Sequence, residues 1–221
     1  MKEAGMAEKG LIDRERPEDV KMAERVVREA FWNVYRPGCV EHYLLHRLRP
    51  HADFVPELNL VMRLAGQLVG QACCVRSQLH TDDGRVLPVL HVGPIAIVPE
   101  KQGQGLGSQL LQALIARAET WGARALFLEG AIGFYGKCGF EPASRYGIRY
   151  QGLPEGADTS FFLCRELAPD FLKSAAGEYA PPAVYAVSPQ EAAAFDAGFP
   201  PKEKRSLPGQ LFDEQGNPRF L

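Results

Sequence analysis

Long hydrophobic runs are missing from this chain of 221 residues: no stretch approaches the roughly 18–20 apolar residues of a membrane span, and Met1 to Gly10 are charged, without the apolar core of a signal peptide. A cytoplasmic protein with no membrane partner is expected. An excess of either charge is missing too. The 25 Lys and Arg nearly balance the 27 Asp and Glu, and no basic cluster carries interleaved aromatics, which excludes an extended nucleic-acid surface. Any polyanion has to be bound locally. Cysteine is scarce and unpatterned. Cys39, Cys73, Cys74, Cys138 and Cys164 are odd in number and contain no C-x-x-C pair, so neither a disulfide framework nor a zinc site is expected, and all five read as reduced thiols. His42 and His46 share a helical face with Glu41 nearby but have no third clear ligand, so no metal is expected there.

What the chain does have is a glycine-rich loop. Gln102-Gly103-Gln104-Gly105-Leu106-Gly107-Ser108 follows a strand-like run from Val89 to Val98 and opens a helix whose apolar stripe is Leu106, Leu110, Leu111, Leu114, Ile115 and Ala118. Glycine at 103, 105 and 107 lets the main chain approach a ligand, and the helix N-terminus adds unpaired N–H groups and a positive dipole end. A pyrophosphate suits that chemistry. A P-loop would need Lys-Ser/Thr after its last glycine, where this chain has Ser108-Gln109. A dinucleotide fingerprint needs G-x-G-x-x-G with a following acid; here the glycines run G-x-G-x-G, and the acid of the next strand, Glu129, stands at its far end.

Gln102, Gly105 and Gly107 resemble the Gln/Arg-x-x-Gly-x-Gly/Ala coenzyme A pyrophosphate loop of the GNAT superfamily of N-acetyltransferases. Phe134-Tyr135-Gly136-Lys137-Cys138-Gly139-Phe140 is similar to the family's Phe/Leu-Tyr-x-x-x-Gly-Phe segment, a short helix ending at a glycine before a strand. The resemblance covers residues 10 to 167. Gly38 to His42 and Phe199 to Lys204 are also similar to a group of bacterial predicted acetyltransferases with a C-terminal extension.

The element order is read as follows. A strand covers Leu11 to Arg16, a helix runs from Pro17 to about Phe31, and a second helical patch spans Val40 to Leu48. Leu58 to Leu64, Gln67 to Gln78 and Val86 to Val98 form a meander, with Pro94 marking a bulge or an unpaired edge. Ala125 to Leu128, Phe140 to Ser144 and Ser160 to Leu167 are the later strands, and Arg145 to Thr159 is a long loop. The resemblance implies an α/β (α+β) fold: a mixed, mostly antiparallel sheet of about seven strands, helices on both faces, and parallel fourth and fifth strands that splay apart. Residues 1–167 are expected to form this domain. Residues 168–221 are expected to be an extension packed on the domain or on a partner subunit, as in a homodimer; Ser188-Pro189-Gln190-Glu191 predicts one short helix stopped by Gly198.

The function implied is transfer of an acetyl group from acetyl-CoA to a primary amine, on a small molecule or a peptide, by direct attack in a ternary complex. By family position, Ile95, Ala96, Ile97 and Val98 supply main-chain groups to the pantetheine arm, and Gln102, Gly103, Gln104, Gly105, Leu106, Gly107 and Ser108 hold the diphosphate. Tyr135 stands beside the coenzyme A sulfur and protonates the departing thiolate. His91, whose side chain titrates in a useful range, and Glu129, at the mouth of the splay, compete as the base. A non-catalytic module that binds acyl-CoA is the alternative. Trp32, Tyr35 and Tyr43 read as core aromatics rather than site residues.

Overall fold

The computed structural model describes residues 10–154 and 156–217 of the chain. Alternation along the strands separates two apolar layers. In β2 (Leu60–Leu64), Leu60, Met62 and Leu64 face one side and Val61 the other; in β3 (Gln67–Thr81), Ala72 and Cys74 face the first side and Cys73 and Val75 the second. The first side is covered by α3 (Leu106–Trp121), with Leu110, Leu111 and Leu114 fully buried. The second is covered by α1 (Val20–Phe31) and α2 (Glu41–Leu48), through Val26, Val27, Leu45 and Leu48. Helices therefore lie on both faces.

Completing the sheet are β1 (Leu11–Arg14), β4 (Val86–Ile97), β5 (Ala125–Glu129), β6 (Glu141–Pro142), β7 (Ile148–Tyr150), β8 (Phe162–Glu166) and β9 (Gly177–Tyr179). The order is β1-β2-β3-β4-β5-β8-β6, with β9 on β3 and β7 on β9. β2, β3 and β4 form the expected antiparallel meander, while β4 and β5 run parallel. Of two remaining helices, α4 (Ile132–Tyr135) tightens into a 3-10 turn ending at Gly139, and α5 (Pro189–Asp196) is capped by Ser188, whose Oγ accepts from the Glu191 N–H. No helix among the described residues is long and apolar enough to cross a membrane.

The structure departs from the sequence reading in three places. The first strand stops at Arg14, because Arg16 and Pro17 open a 3-10 turn into α1. The expected strand over Phe140 to Ser144 shrinks to Glu141–Pro142, and the long loop after it contains β7. The sheet holds nine strands among the described residues instead of about seven, because β9 pairs with the C-terminal end of β3 and β7 pairs with β9. Gly177 permits that contact, since a Cβ there would overlap the His80 carbonyl. A third apolar cluster follows, in which Phe127, Phe162 and Tyr179 stack at 4.9 to 5.6 Å.

The leucine stripe of α3 anchors the loop that precedes it. Leu114→Ala is expected to lower unfolding free energy by about 2–5 kcal/mol, measured by urea denaturation, as removal of a fully buried leucine does where the cavity stays open. A loss within error of zero would mean that α3 does not carry this load.

Candidate active site

Strands β4 and β5 are in register at only two pairs, Leu90 with Leu126 and His91 with Phe127, and beyond them the strands part into a fork. Along the same stretch β4 stays paired with β3, apart from a shift of register between Ala72 and Cys74. That bulge is Gly93 and Pro94 of β4, two residues opposite the single Cys73 of β3, where a residue without an N–H costs the ladder nothing. The Gly93 carbonyl there accepts the Tyr185 hydroxyl at 2.6 Å and the Cys73 thiol at 3.2 Å. The Val98 N–H donates to Val69 on β3, so by strand alternation the main-chain groups of Ile95 and Ile97 face the fork and those of Ala96 face β3.

At the tip of the fork sits the glycine-rich loop. Gly103 and Gly105 have φ of 73° and 83°, and a Cβ on either would meet nothing within 4 Å, so both expose bare main chain on an open side. From Gly103 to Ser108 no amide N–H finds an acceptor among the described residues; the first internal bond runs from the Gln109 N–H to the Gly105 carbonyl. These donors converge at the N-terminus of a 16-residue helix. Two residues of the loop do other work. The Gln102 side chain donates to the Ile97 carbonyl at 2.8 Å and its N–H to the Pro99 carbonyl at 3.2 Å, so Gln102 braces the loop against β4. Gly107 is helical, and a Cβ there would stand 3.2 Å from the Phe134 ring. Its missing side chain lets the Tyr135 segment dock on the loop.

Tyr135 follows Phe134 and packs edge-on against it at 4.8 Å, while its ring lies on Gly130, where a Cβ would overlap it. Burial, with the electrostatic influence of Tyr35, Glu129 and Cys138, raises its phenol well above the usual range, so the hydroxyl keeps its proton at neutral pH. Tyr35 belongs to the α1–α2 connection and is 39% exposed, not buried in the core as its sequence position suggested.

His91 and Glu129 come together. His91 Nε2 is 3.3 Å from Glu129 Oε2, and His91 Nδ1 is 2.7 Å from the Tyr179 hydroxyl, which the Ser77 hydroxyl approaches at 3.2 Å. The His91 ring is 1% exposed and also meets Tyr185 edge-on at 4.4 Å. Both of its nitrogens are occupied, whereas the Glu129 side chain is 31% exposed and its Oε1 is buried with no hydrogen bond. Burial alone would raise the Glu129 carboxyl; His91 and the neighbouring Tyr150 outweigh it, and the carboxyl sits below its ordinary 4.5. Glu129 is thus a carboxylate at the fork with one oxygen satisfied and one orphaned. Among the described residues no set of His, Cys, Asp or Glu is arranged to hold a metal ion.

The profile of the acetyltransferase (GNAT) family matches residues 27–140, more than half of the chain. The chain belongs to the GNAT family. The uncharacterized N-acetyltransferase YjhQ of Escherichia coli strain K12 is 31% identical over 90 residues, 40% of this chain and 49% of YjhQ; the chain thus matches about half the length of that curated relative. The GNAT family N-acetyltransferase YhbS of Escherichia coli, solved in complex with CoA, is 25% identical with a TM-score of 0.70, over 82% of this chain and 94% of that one. A GNAT family acetyltransferase of Brucella melitensis, solved in complex with acetyl-CoA, is also 25% identical, with a TM-score of 0.62 over 80% and 99%. The GNAT fold is the one described above: a mixed sheet with parallel β4 and β5 between helices.

Three residues at this GNAT site escaped the sequence reading. Tyr150, Tyr179 and Tyr185 arrive from segments read as a loop and an extension, and each meets His91 or Glu129. Local pattern gave no sign of them, because their partners lie on strands tens of residues away. The lowered carboxyl of Glu129 has a measurable consequence. The unfolded chain binds that proton more tightly, so the stabilisation from Glu129 is complete above about pH 4.5 and is lost as pH falls through the folded value. Urea denaturation of wild type and Glu129→Gln is expected to show a larger gap at pH 7 than at pH 3. An equal gap at both would contradict the lowered carboxyl of Glu129.

Proposed function

We propose that the chain is an acetyl-CoA-dependent N-acetyltransferase that moves an acetyl group to a primary amine by direct attack in a ternary complex. The observation that carries this reading is the run of unpartnered amides from Gly103 to Ser108, placed beside a fork whose walls bear a protonated phenol and an ionised carboxylate. Those amides suit the diphosphate of coenzyme A. The Ile95 main chain and the Ile97 N–H, which face the fork, suit the pantetheine arm that would run along β4; the Ile97 carbonyl is already taken by Gln102. The relatives solved with CoA and acetyl-CoA support the same guest.

In this reading Glu129 receives the acceptor as an ammonium and takes a proton as it is lost to water, leaving a neutral amine. The amine forms its C–N bond to the thioester carbonyl, and the oxyanion is held by main-chain N–H of β4 in a site closed to water. The C–S bond then breaks as the Tyr135 phenol gives its proton to the departing sulfur, and the proton still carried by the newly bonded nitrogen returns to the phenolate, which leaves a neutral amide and restores Tyr135. One proton is released per turnover. We assign residues 1–167 to the acyl-transfer domain and 168–221 to an extension that walls its acceptor side. The five cysteines, all free and buried, suit a reducing cytoplasm.

Two measurements test the proposal. Calorimetry is expected to show coenzyme A binding to wild type and about tenfold weaker binding to Gly105→Val, because a left-handed residue with a side chain costs roughly 1–2 kcal/mol. Thiol release from acetyl-CoA over a panel of primary amines is expected to fall about 10²-fold in kcat for Tyr135→Phe with binding retained. Binding without thiol release from any amine would make the chain an acyl-CoA-binding module instead.

A further inference from the structure

The C-terminal segment does more than cover the sheet. Read from its surface end, the buried polar chain starts at the half-buried Ser77 hydroxyl, which donates to Tyr179 at 3.2 Å; Tyr179 lies 2.7 Å from His91 Nδ1; His91 Nε2 lies 3.3 Å from Glu129 Oε2. With Ser77 donating to the Tyr179 oxygen, the tyrosine proton is left for Nδ1. A neutral imidazole that accepts at Nδ1 carries its hydrogen at Nε2, and Nε2–H then points to Glu129. Every hydrogen bond in the chain is aimed the same way.

We propose that Tyr179 is a positioning residue of the active site: by donating to His91 it fixes the imidazole hydrogen on the side of Glu129, and so holds that carboxylate ionised with Oε1 free for the ammonium of a cationic amine. This rests on the acetyltransferase reading above. Tyr179 is 0% exposed and its ring packs against both Phe127 and Phe162, which also meet each other, so the ring that carries its hydroxyl is held from two sides. The titratable groups that face His91 and Glu129 are Tyr135 from α4, Tyr150 from β7, Tyr179 from β9 and Tyr185 from the segment after it, with Cys73 of β3 behind Tyr185. None is a base or a second carboxylate; His91 and Tyr150 act together on Glu129, and the tautomer of His91 is set by Tyr179. The orphaned Oε1 is the second mark of a ligand, since a buried carboxylate oxygen without a donor is costly unless an incoming cation supplies one. Two exposed rings meet the neighbours of Glu129 and offer apolar and cation-binding faces: Phe161, 5.4 Å from the Tyr150 ring, and Tyr35, which acts on Tyr135.

The acceptor class that fits is a primary ammonium on an apolar or aromatic-compatible stem, with no carboxylate next to the nitrogen, because a second anion there would meet Glu129. The test compares wild type, Tyr179→Phe and Ser77→Ala in steady-state acetylation of an alkyl monoamine such as butylamine, alongside glycine. Wild type is expected to prefer the monoamine to glycine. Tyr179→Phe keeps the ring stack and is expected to raise KM for the amine about tenfold, the scale on which outer partners of a functional group act. It should leave KM for acetyl-CoA unchanged and shift the acidic limb of kcat/KM to higher pH. Ser77→Ala should shift that limb in the same direction by less, without touching the core. If wild type turns over amines but both variants keep its amine KM and pH profile, Tyr179 is structural and the proposal falls. Should wild type acetylate glycine better than butylamine, the acceptor class falls. An inactive wild type would instead overturn the acetyltransferase reading itself.

Discussion

Strands β4 and β5 touch at two pairs of residues and then separate, and the geometry of the site follows from that short contact. A parallel ladder continued to the ends of both strands would have consumed the main-chain groups of Ile95 and Ile97. The bulge at Gly93 and Pro94 bends β4, while β3 remains its partner on the other edge. An open strand edge inside a protein normally exposes polar groups at a cost. Here it borders a cleft, and the groups left over are the ones an extended ligand with amides of its own can use. Because the fork opens toward the N-terminus of α3, the same divergence brings unpaired strand groups and unpaired helix amides into one continuous lining.

The two walls of the fork are held by different parts of the core. On one side, the leucine stripe of α3 fixes the glycine loop, and the bare face of Gly107 against Phe134 fixes Tyr135 relative to it. On the other, Glu129 is held through His91 by an aromatic cluster that includes strands β7 and β9. The C-terminal segment reaches further still. Asp196 pairs with the buried Arg28 at 2.5 Å and approaches His42 at 3.0 Å, and the main chain of Tyr35 accepts from Leu211 and Phe212. Breaking a buried pair of this kind by removing one partner leaves a charge uncompensated, which makes the docking of the segment specific. The connection bearing Tyr35 is thereby tied to the same segment that supplies Tyr179.

Much of this was legible in the chain itself. The loop was marked by its glycines and by the periodic leucines after it, the short helix by Gly139, and the bulge in β4 by Pro94, each a local signal with a local cause, whereas the fork was implied by the family resemblance. His91 and Glu129 were picked out as rivals from their places on two strands; the structure makes them a pair. Gln102 carried no sign that it would turn inward, since a glutamine at a loop start serves equally well as ligand or brace. β7 and β9 were illegible for another reason. Each has three residues, β9 pairs with a strand about a hundred residues earlier, and strand pairing at that range leaves no mark in a window of sequence. Tyr179 was therefore invisible as a site residue until the sheet had been assembled.

The central claim is that bare amides at the start of α3, together with the free edge of β4, form one binding surface. Amide hydrogen exchange followed by mass spectrometry, with and without coenzyme A, reads that surface directly. Slower exchange on addition of coenzyme A is expected in peptides covering residues 95–97 and 103–108, with little change in β1 and β2. Protection confined to other segments, or none at saturating coenzyme A, would contradict the account.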